Sequence, residues 1–189
     1  MSVWPVLLLL VLTVVTVGHL LVSYGLVRRL RAHTNLLDEL TGDSGRLLPA
    51  GTPFPAFTAP TTGGHMFTGA GLQHPAAVAL LAVDCPHCRT NLPEFVAYVR
   101  AGGYSRERVL AVVADTERTD RRARQDMLDA LEPVATVISE SGTGGPVTTA
   151  FDVQGFPSFY LTRSDGTITA GCHAVRKLPA VPAADRTLS

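Results

Sequence analysis

The sequence has no excess of charge of either sign. Among its 189 residues, 16 Lys and Arg residues balance 16 Asp and Glu residues, so the formal net charge at pH 7 is zero. The basic residues are nearly all arginines, and they are scattered among acidic residues without forming a basic stripe. This distribution argues against nucleic acid as a partner, because binding to phosphates requires clustered positive charge.

Cysteine is also scarce, with three residues in the chain. Three are too few for the disulfide framework that stabilises many small secreted domains. Two of them form the motif Cys85-Pro86-His87-Cys88, and Cys172 stands alone. The C-x-x-C spacing indicates redox or metal chemistry.

Zinc is the alternative to redox chemistry for this pair, and inert buried thiols are another. A structural zinc site needs two further ligands at short spacing, and His65, His74 and Cys172 are too dispersed to supply them. We therefore expect no metal and no other cofactor. We expect His65 and His74 to be surface loop residues. For Cys172 we expect a small buried residue on or after the last strand, and the alternative is a third exchangeable thiol near His173.

The N-terminal region lacks charged side chains from residue 3 to residue 27. A helix of that length, about 37 Å at ~1.5 Å per residue, could cross a hydrocarbon core of ~30 Å. A cleaved signal peptide is the alternative, but no basic segment precedes the run and its apolar core is too long. We therefore predict that residues 1–27 form one transmembrane helix of a single-pass cell-membrane protein.

Residues 28–50 are predicted to form a short amphipathic juxtamembrane helix followed by a linker. Leucines recur near helical spacing until residues 41–45 break the pattern. Arg28, Arg29 and Arg31 directly follow the apolar run, and the positive-inside rule would place that side of the membrane in the cytoplasm.

Residues 51–189 have the alternating pattern of one α/β domain. Continuous apolar runs predict buried strands, and apolar spacing of i, i+3, i+4 predicts helices. After an extended lead-in at 49–60, we predict a strand at 76–83, a helix from about Cys88 to Gly102-Gly103, a strand at 109–114, a helix capped by Thr119 or Asp120, a strand at 134–138, a helical turn, and a hairpin of 159–161 with 167–169. This order predicts a mixed sheet with helices on both faces.

The predicted position of the cysteine pair favours thiol chemistry. Cys85 would lie at a helix N-terminus, where unpaired backbone N–H groups and the helix dipole favour a thiolate. Cys88, one turn further on, could attack a mixed disulfide on Cys85 and close an internal disulfide. Pro86 suits the first turn because it has no N–H. His87 would add a donor or a positive charge beside the attacking sulfur.

Two prolines accompany the pair. Pro93 lies five residues after Cys88, inside the predicted helix, which it should bend. Pro157 follows Phe156 and directly precedes a predicted strand, where a residue without an N–H is tolerated. Position alone would make Pro157 an ordinary trans proline.

Together, these cysteine and proline motifs resemble the thioredoxin fold. The resemblance implies that Pro157 is cis and packs against the cysteine pair, and that the backbone of Phe156 pairs with a bound substrate chain. More narrowly, the chain resembles the membrane-anchored thioredoxin-like accessory proteins of methylamine dehydrogenase maturation (MauD-type) and the related TlpA/ResA-like redoxins of cytochrome c biogenesis. The shared features are the N-terminal span, the arginine-bearing segment, the lead-in at 51–57, residues 80–88, Phe156-Pro157 and residues 165–168.

This resemblance implies a membrane-tethered thiol–disulfide oxidoreductase. Its domain would lie on the outer face of the membrane, opposite to the side that the arginine cluster favours. It would exchange disulfides with protein substrates during maturation of an extracytoplasmic protein, and a membrane redox partner would recycle the cysteine pair. Three positions depart from the family pattern: Ala79 replaces a buried acid, Asp84 should disfavour the thiolate, and Phe156 is larger than usual.

Two other functions compete with this interpretation. A peroxiredoxin-type antioxidant would need a Pro-x-x-x-Thr-x-x-Cys motif, but Leu81, Ala82 and Val83 lead into the cysteine pair without a threonine. A non-catalytic docking module would keep the fold and lose the chemistry. The intact C-x-x-C motif and Pro157 argue against that module.

Overall fold

The structure is a computed structural model, and it describes Trp4, Leu12, Thr13, Thr16 and residues 46–115 and 119–180. The chain divides into two units, Met1–Gly42 and Asp43–Ser189. Most of the predicted anchor and of the predicted juxtamembrane segment lies outside the described residues. Within the described part of the chain, no helix is long and apolar enough to span a membrane.

Seven strands and three α-helices are found in the described part of the second unit. In chain order they are β1 (Thr58–Pro60), β2 (Met66–Thr68), β3 (Ala77–Ala82), α1 (Pro86–Ala101), β4 (Val109–Asp115), α2 (Arg121–Leu131), β5 (Thr136–Ser141), α3 (Pro146–Ala150), β6 (Ser158–Thr162) and β7 (Ile168–Cys172). Five strands form one mixed sheet in the order β5-β4-β3-β6-β7. Strands β3, β4 and β5 are parallel, whereas β6 and β7 form the antiparallel hairpin that the sequence predicts.

Both faces of this sheet are covered, which is why its central strands are continuous apolar runs. One face packs against α1 and α2, through residues that include Phe95, Val99, Met127 and Leu131. The other face packs against α3 and the β1–β2 region, through residues that include Phe57, Phe151 and Tyr160. Full burial of each such side chain stabilises the fold by ~1.5–3 kcal/mol. The predicted mixed sheet with helices on both faces is confirmed.

Helix α1 begins at Pro86, two residues before the predicted start, because Cys85 rather than a later residue is its N-cap. Pro93 lies inside the helix. The helix ends at Ala101, with Gly102 as its C-cap, in agreement with the predicted end at Gly102-Gly103. Gly103 follows with a φ of 66°, a conformation that glycine adopts without strain. The ring of Phe95 stacks on Phe159 with a centroid distance of 5.5 Å, which fixes α1 on the sheet.

The sequence-based boundaries fail where pairing across the sheet decides them. The predicted extended lead-in instead contains β1, which pairs antiparallel with β2, a strand that the sequence analysis missed. Strand β5 begins and ends later than predicted, because its residues 136–141 pair in register with β4. Asp120 is the N-cap of α2 and accepts a hydrogen bond from the N–H of Arg122. Thr119 is not the cap, and its hydroxyl donates to Asp84 instead.

The two histidines predicted at the surface differ. His65 is exposed, as expected. His74 is half-buried, which corrects the prediction: its Nδ1 lies 2.6 Å from Oγ1 of Thr162, and its ring meets Phe54 edge-on at 5.2 Å. Burial lowers the pKa of His74 below the usual value of a histidine. The contact with Thr162 connects the segment before β3 to the end of β6.

Glu140 is a buried carboxylate that the sequence analysis missed. Its Oε1 accepts a hydrogen bond from the N–H of Val147 at 2.7 Å, and its Oε2 accepts one from Thr148 at 3.0 Å. It thereby caps α3, whose N-cap, Gly145, has no side chain to do so. A Cβ at Gly145 would lie 2.7 Å from Cβ of Glu140, so this close approach requires glycine.

We expect Glu140→Ala to lower the free energy of unfolding by about 2 kcal/mol, because it leaves two buried N–H groups without an acceptor. Urea denaturation of the reduced protein measures this change. Glu94→Ala, on the exposed face of α1, is the control and should change the stability by less than about 0.5 kcal/mol. Equal stability of the two variants would contradict the capping role.

Candidate active site

The cysteine pair lies where the central strand β3 passes into α1. Cys85 is the N-cap of this helix, and its Sγ accepts a hydrogen bond from the backbone N–H of Cys88 at 3.1 Å. Pro86 is the first residue of the helix, where its missing N–H costs nothing. Cys85 is half-buried, so its sulfur is reachable from solvent while the helix terminus stabilises a charge on it.

The environment lowers the pKa of Cys85 to about 7. The largest cause is the hydrogen bond from the Cys88 thiol; backbone N–H groups of Cys88 and His87 and the positive charge of Arg89 act in the same direction, and burial opposes them. The lowered pKa increases the fraction of Cys85 that is a thiolate at neutral pH. The thiolate is the form that attacks disulfides.

Cys88 has the opposite environment. Its side chain is fully buried, and its Sγ accepts a hydrogen bond from the N–H of Ala82 at 3.4 Å. Burial raises the pKa of Cys88 well above the usual value of a cysteine. Because Cys85 is half-buried with a lowered pKa while Cys88 is buried with a raised pKa, the two thiols differ in their readiness to form a thiolate.

The side chain of His87 is exposed on the first turn of α1. We predicted a donor or a positive charge from this residue. The donor is its backbone N–H, and the positive charge comes from Arg89, which the sequence analysis did not single out. The carbonyl oxygen of His87 accepts a hydrogen bond from Nδ2 of Asn91 at 2.9 Å.

Residues 155–158, named here the 155–158 loop, lie against the cysteine pair and include Ser158, the first residue of β6. The peptide bond between Phe156 and Pro157 is cis, as the resemblance implies, so the trans assignment from position alone is wrong. The carbonyl oxygen of Phe156 accepts a hydrogen bond from Sγ of Cys85 at 3.6 Å. Pro157 is buried and Phe156 is half-buried. The loop therefore contacts Sγ of Cys85 through its backbone.

The structure describes the surroundings of Ala79 and Asp84, two of the positions that depart from the family pattern. Ala79 is fully buried in β3, paired with Ala111 on one side and Phe159 on the other. The site thus has no carboxylate at this position to move a proton. Asp84 is exposed, and its Oδ2 accepts a hydrogen bond from the hydroxyl of Thr119 at 2.9 Å.

Cys172 ends β7 and is buried, in agreement with the first of its two interpretations. Its thiol donates a hydrogen bond to the carbonyl oxygen of Ala174 at 3.2 Å, and burial raises its pKa. The neighbouring His173 contacts the carbonyl oxygen of Pro157, a contact that no local sequence pattern indicates. Within the described part of the chain, no group of three or more His, Cys, Asp or Glu residues could hold a metal ion.

No protein-family model matches the chain, and no curated protein is significantly similar to it in sequence. Solved structures do resemble it. A thio-disulfide isomerase from Thermus thermophilus is 20% identical, covering 67% of this chain and 87% of its own, with a TM-score of 0.51. The thioredoxin domain of a thiol-disulfide oxidoreductase from Bacteroides vulgatus is 17% identical, covering 74% and 93%, with a TM-score of 0.50.

A secreted disulfide oxidoreductase of Mycobacterium tuberculosis, homologous to E. coli DsbE, is 26% identical over 62% of this chain and 82% of its own, with a TM-score of 0.48. The first two likenesses, together with the observed order of strands, establish the fold. The described domain has a thioredoxin-like fold of the kind found in thiol–disulfide oxidoreductases.

Proposed function

We propose that the protein is a thiol–disulfide oxidoreductase that exchanges disulfides with protein substrates. The observation that carries this proposal is the opposite environment of the two cysteines. Cys85 is accessible and has a pKa lowered to about 7, whereas Cys88 is buried beside it and stays protonated. An attacking thiolate next to a resolving thiol is what two-step disulfide exchange requires.

The exchange then runs in two balanced steps. The Cys85 thiolate attacks one sulfur of a substrate disulfide, the substrate S–S bond breaks, and the other substrate sulfur leaves as a thiolate. Cys88 gives its proton to water or to the substrate thiolate released in the first step, and its sulfur attacks Sγ of Cys85 in the mixed disulfide; the second substrate sulfur leaves as a thiolate and the Cys85–Cys88 disulfide closes. The substrate gains two electrons and the protein loses two. Run backwards, the same steps oxidise a substrate dithiol.

The 155–158 loop supports a polypeptide as the substrate. The carbonyl oxygen of Phe156 lies 3.6 Å from Sγ of Cys85, so an extended chain that paired with the Phe156 backbone would have its sulfur beside the thiolate. Backbone pairing of this kind positions a substrate through the atoms that every peptide shares. The buried Pro157 would hold the backbone of Phe156 in the position that this pairing needs.

The proposed setting is the outer face of the cell membrane. The uncharged run at residues 3–27 supports a single-pass anchor, and the resemblance to membrane-anchored redoxins supports a role in maturation of an extracytoplasmic protein. A membrane dithiol or disulfide protein would recycle the pair. The opposing feature is the cluster Arg28, Arg29 and Arg31, which the positive-inside rule would place in the cytoplasm.

Fusions after Ser189 test the membrane orientation. Activity of a fused alkaline phosphatase would support the outer face. An inactive phosphatase fusion, together with fluorescence of a fused reporter that matures only in the cytoplasm, would overturn it.

The redox proposal is tested by equilibrating the full chain, in detergent, with glutathione buffers and trapping free thiols by alkylation. We expect one two-electron transition between about −270 and −120 mV, the range spanned by reducing and oxidising relatives of this fold. Cys172→Ser should leave the transition unchanged. If Cys85 and Cys88 formed no disulfide at any potential, the non-catalytic docking module would take the place of the oxidoreductase.

A further inference from the structure

His173 lies directly after β7 and reaches across to the 155–158 loop. Its Nδ1 is 2.6 Å from the carbonyl oxygen of Pro157 and 3.5 Å from Oγ of Ser158. A carbonyl oxygen can only accept, so Nδ1 carries the proton and donates it to Pro157. This holds for the imidazolium and for the neutral ring with hydrogen on Nδ1 alike. His173 is half-buried, which shields this hydrogen bond from water.

Three successive carbonyl groups of the loop each have a different partner. The hydroxyl of Ser158 donates to the carbonyl oxygen of Gly155 at 2.9 Å, within the loop itself. Sγ of Cys85 donates to that of Phe156, and His173 donates to that of Pro157. The bond at Phe156 comes from the reacting sulfur and changes during the exchange. The hydrogen bond from His173, the residue that follows β7, involves neither Cys85 nor Cys88.

The turn that carries His173 is also tied to the helix of the cysteine pair. The N–H of Val175 donates to Oδ1 of Asn91 at 2.9 Å. Nδ2 of the same Asn91 donates to the carbonyl oxygen of His87, also at 2.9 Å. Hydrogen bonds therefore connect the first turns of α1, through Asn91 and the 173–175 turn, to the 155–158 loop. Cys85 contacts both of the connected parts: it is the N-cap of α1, and its Sγ donates to the carbonyl oxygen of Phe156 in the loop.

We infer that His173 is a positioning residue for disulfide exchange, which holds the 155–158 loop beside Cys85 so that the loop can accept an extended substrate chain. This inference rests on the proposed function. With the Pro157 carbonyl held from β7, the backbone of Phe156 keeps its orientation when the Cys85 thiol gives up its hydrogen bond and attacks. Without His173, the substrate chain would have to order the loop as it binds, and that cost raises KM rather than lowering kcat.

Three variants of the full chain separate this role from simple packing. In His173→Asn, the side-chain Nδ2 occupies the place of the histidine Nδ1 and keeps the donor. In His173→Gln, the amide lies one methylene further out, and in His173→Ala the donor is absent. We expect Gln and Ala to lower kcat/KM toward a protein disulfide about fivefold, through KM, which corresponds to about 1 kcal/mol for one hydrogen bond. Asn should stay within about twofold of the wild type.

The rate at which iodoacetamide alkylates Cys85 should be the same in all three variants, because this small reagent does not use the loop. Amide hydrogen exchange of the 154–160 segment, followed by mass spectrometry, should accelerate in the Gln and Ala variants and not in Asn. Unchanged exchange in Ala, or an equal effect of Asn and Gln, would overturn the inference. If the wild type exchanged no protein disulfide, the proposed function would fail, and the hydrogen-exchange comparison would still decide whether His173 holds the loop.

Discussion

Replacement of Cys85 by serine should reduce disulfide exchange with a protein substrate by more than about a thousandfold. Cys85 is the accessible thiol of the pair and the one with a lowered pKa, whereas Cys88 is fully buried and stays protonated. A serine hydroxyl is almost entirely un-ionised at neutral pH and cannot form a disulfide with the substrate. The measurement is the turnover of insulin disulfides by the full chain in detergent, with dithiothreitol as the electron donor.

Cys88→Ser should block the exchange at its second step rather than at its first. The first step needs only the Cys85 thiolate, so this variant should still attack the substrate and then stop at the mixed disulfide, because no thiol remains beside it to resolve the bond. Non-reducing electrophoresis and mass spectrometry should show a substrate adduct on Cys85 that dithiothreitol releases. Serine keeps a hydroxyl donor in the place of the thiol that lowers the pKa of Cys85, so the nucleophile stays active.

Cys172→Ser is the matched control for both variants. Cys172 is buried at the end of β7, and its raised pKa keeps it protonated, so its replacement should change neither turnover nor adduct formation. Adducts on Cys172, or wild-type turnover by Cys85→Ser, would contradict the assigned roles. In that case the third cysteine, and not the C-x-x-C pair, would be the exchangeable thiol.

The sequence predicted the parts of the fold that depend on local pattern. The apolar run of β3, the spacing of apolar residues in α1 and the turn between β6 and β7 each carry their own signal, and each lies at or near its predicted position. Strand β2 has three residues and no alternating pattern, and its pairing with β1 is set by the packing of both strands on the sheet. Such pairing has no local signature, and therefore the sequence predicts only an extended chain for the lead-in.

The same distinction holds for the site. The motif and its predicted place at a helix N-terminus are sufficient to predict Cys85 as the attacking residue. Contacts between residues distant in the chain decide the rest. Glu140 caps α3 from a neighbouring strand, and His173 reaches Pro157 from β7. The charge of Arg89 was visible in the sequence, one residue after Cys88, but its effect on Cys85 follows only from their arrangement in the first turn of α1.

The pH dependence of alkylation should report the environment of Cys85 directly. With a pKa of about 7, its thiolate fraction approaches its maximum by about pH 8, and the alkylation rate should level off there with it. A thiol with the ordinary pKa of 9.0 would still be largely protonated at pH 8. The direction is fixed by the sign of the shift: a lowered pKa moves the rise in rate to lower pH. Iodoacetamide, applied to the reduced Cys172→Ser protein, measures this profile at one reactive site.

Two substitutions of Cys88 identify the cause of the lowered pKa. The hydrogen bond from the Cys88 thiol is the largest contribution, so Cys88→Ala should move the midpoint of the alkylation profile toward the ordinary value of a cysteine. Cys88→Ser, which keeps a hydroxyl donor, should move it less. The backbone N–H groups of residues 87 and 88 remain in both variants, so neither should reach the ordinary value fully. If the two midpoints coincided with that of the parent protein, the helix terminus and Arg89 would be sufficient to activate Cys85, and Cys88 would act only in the resolving step.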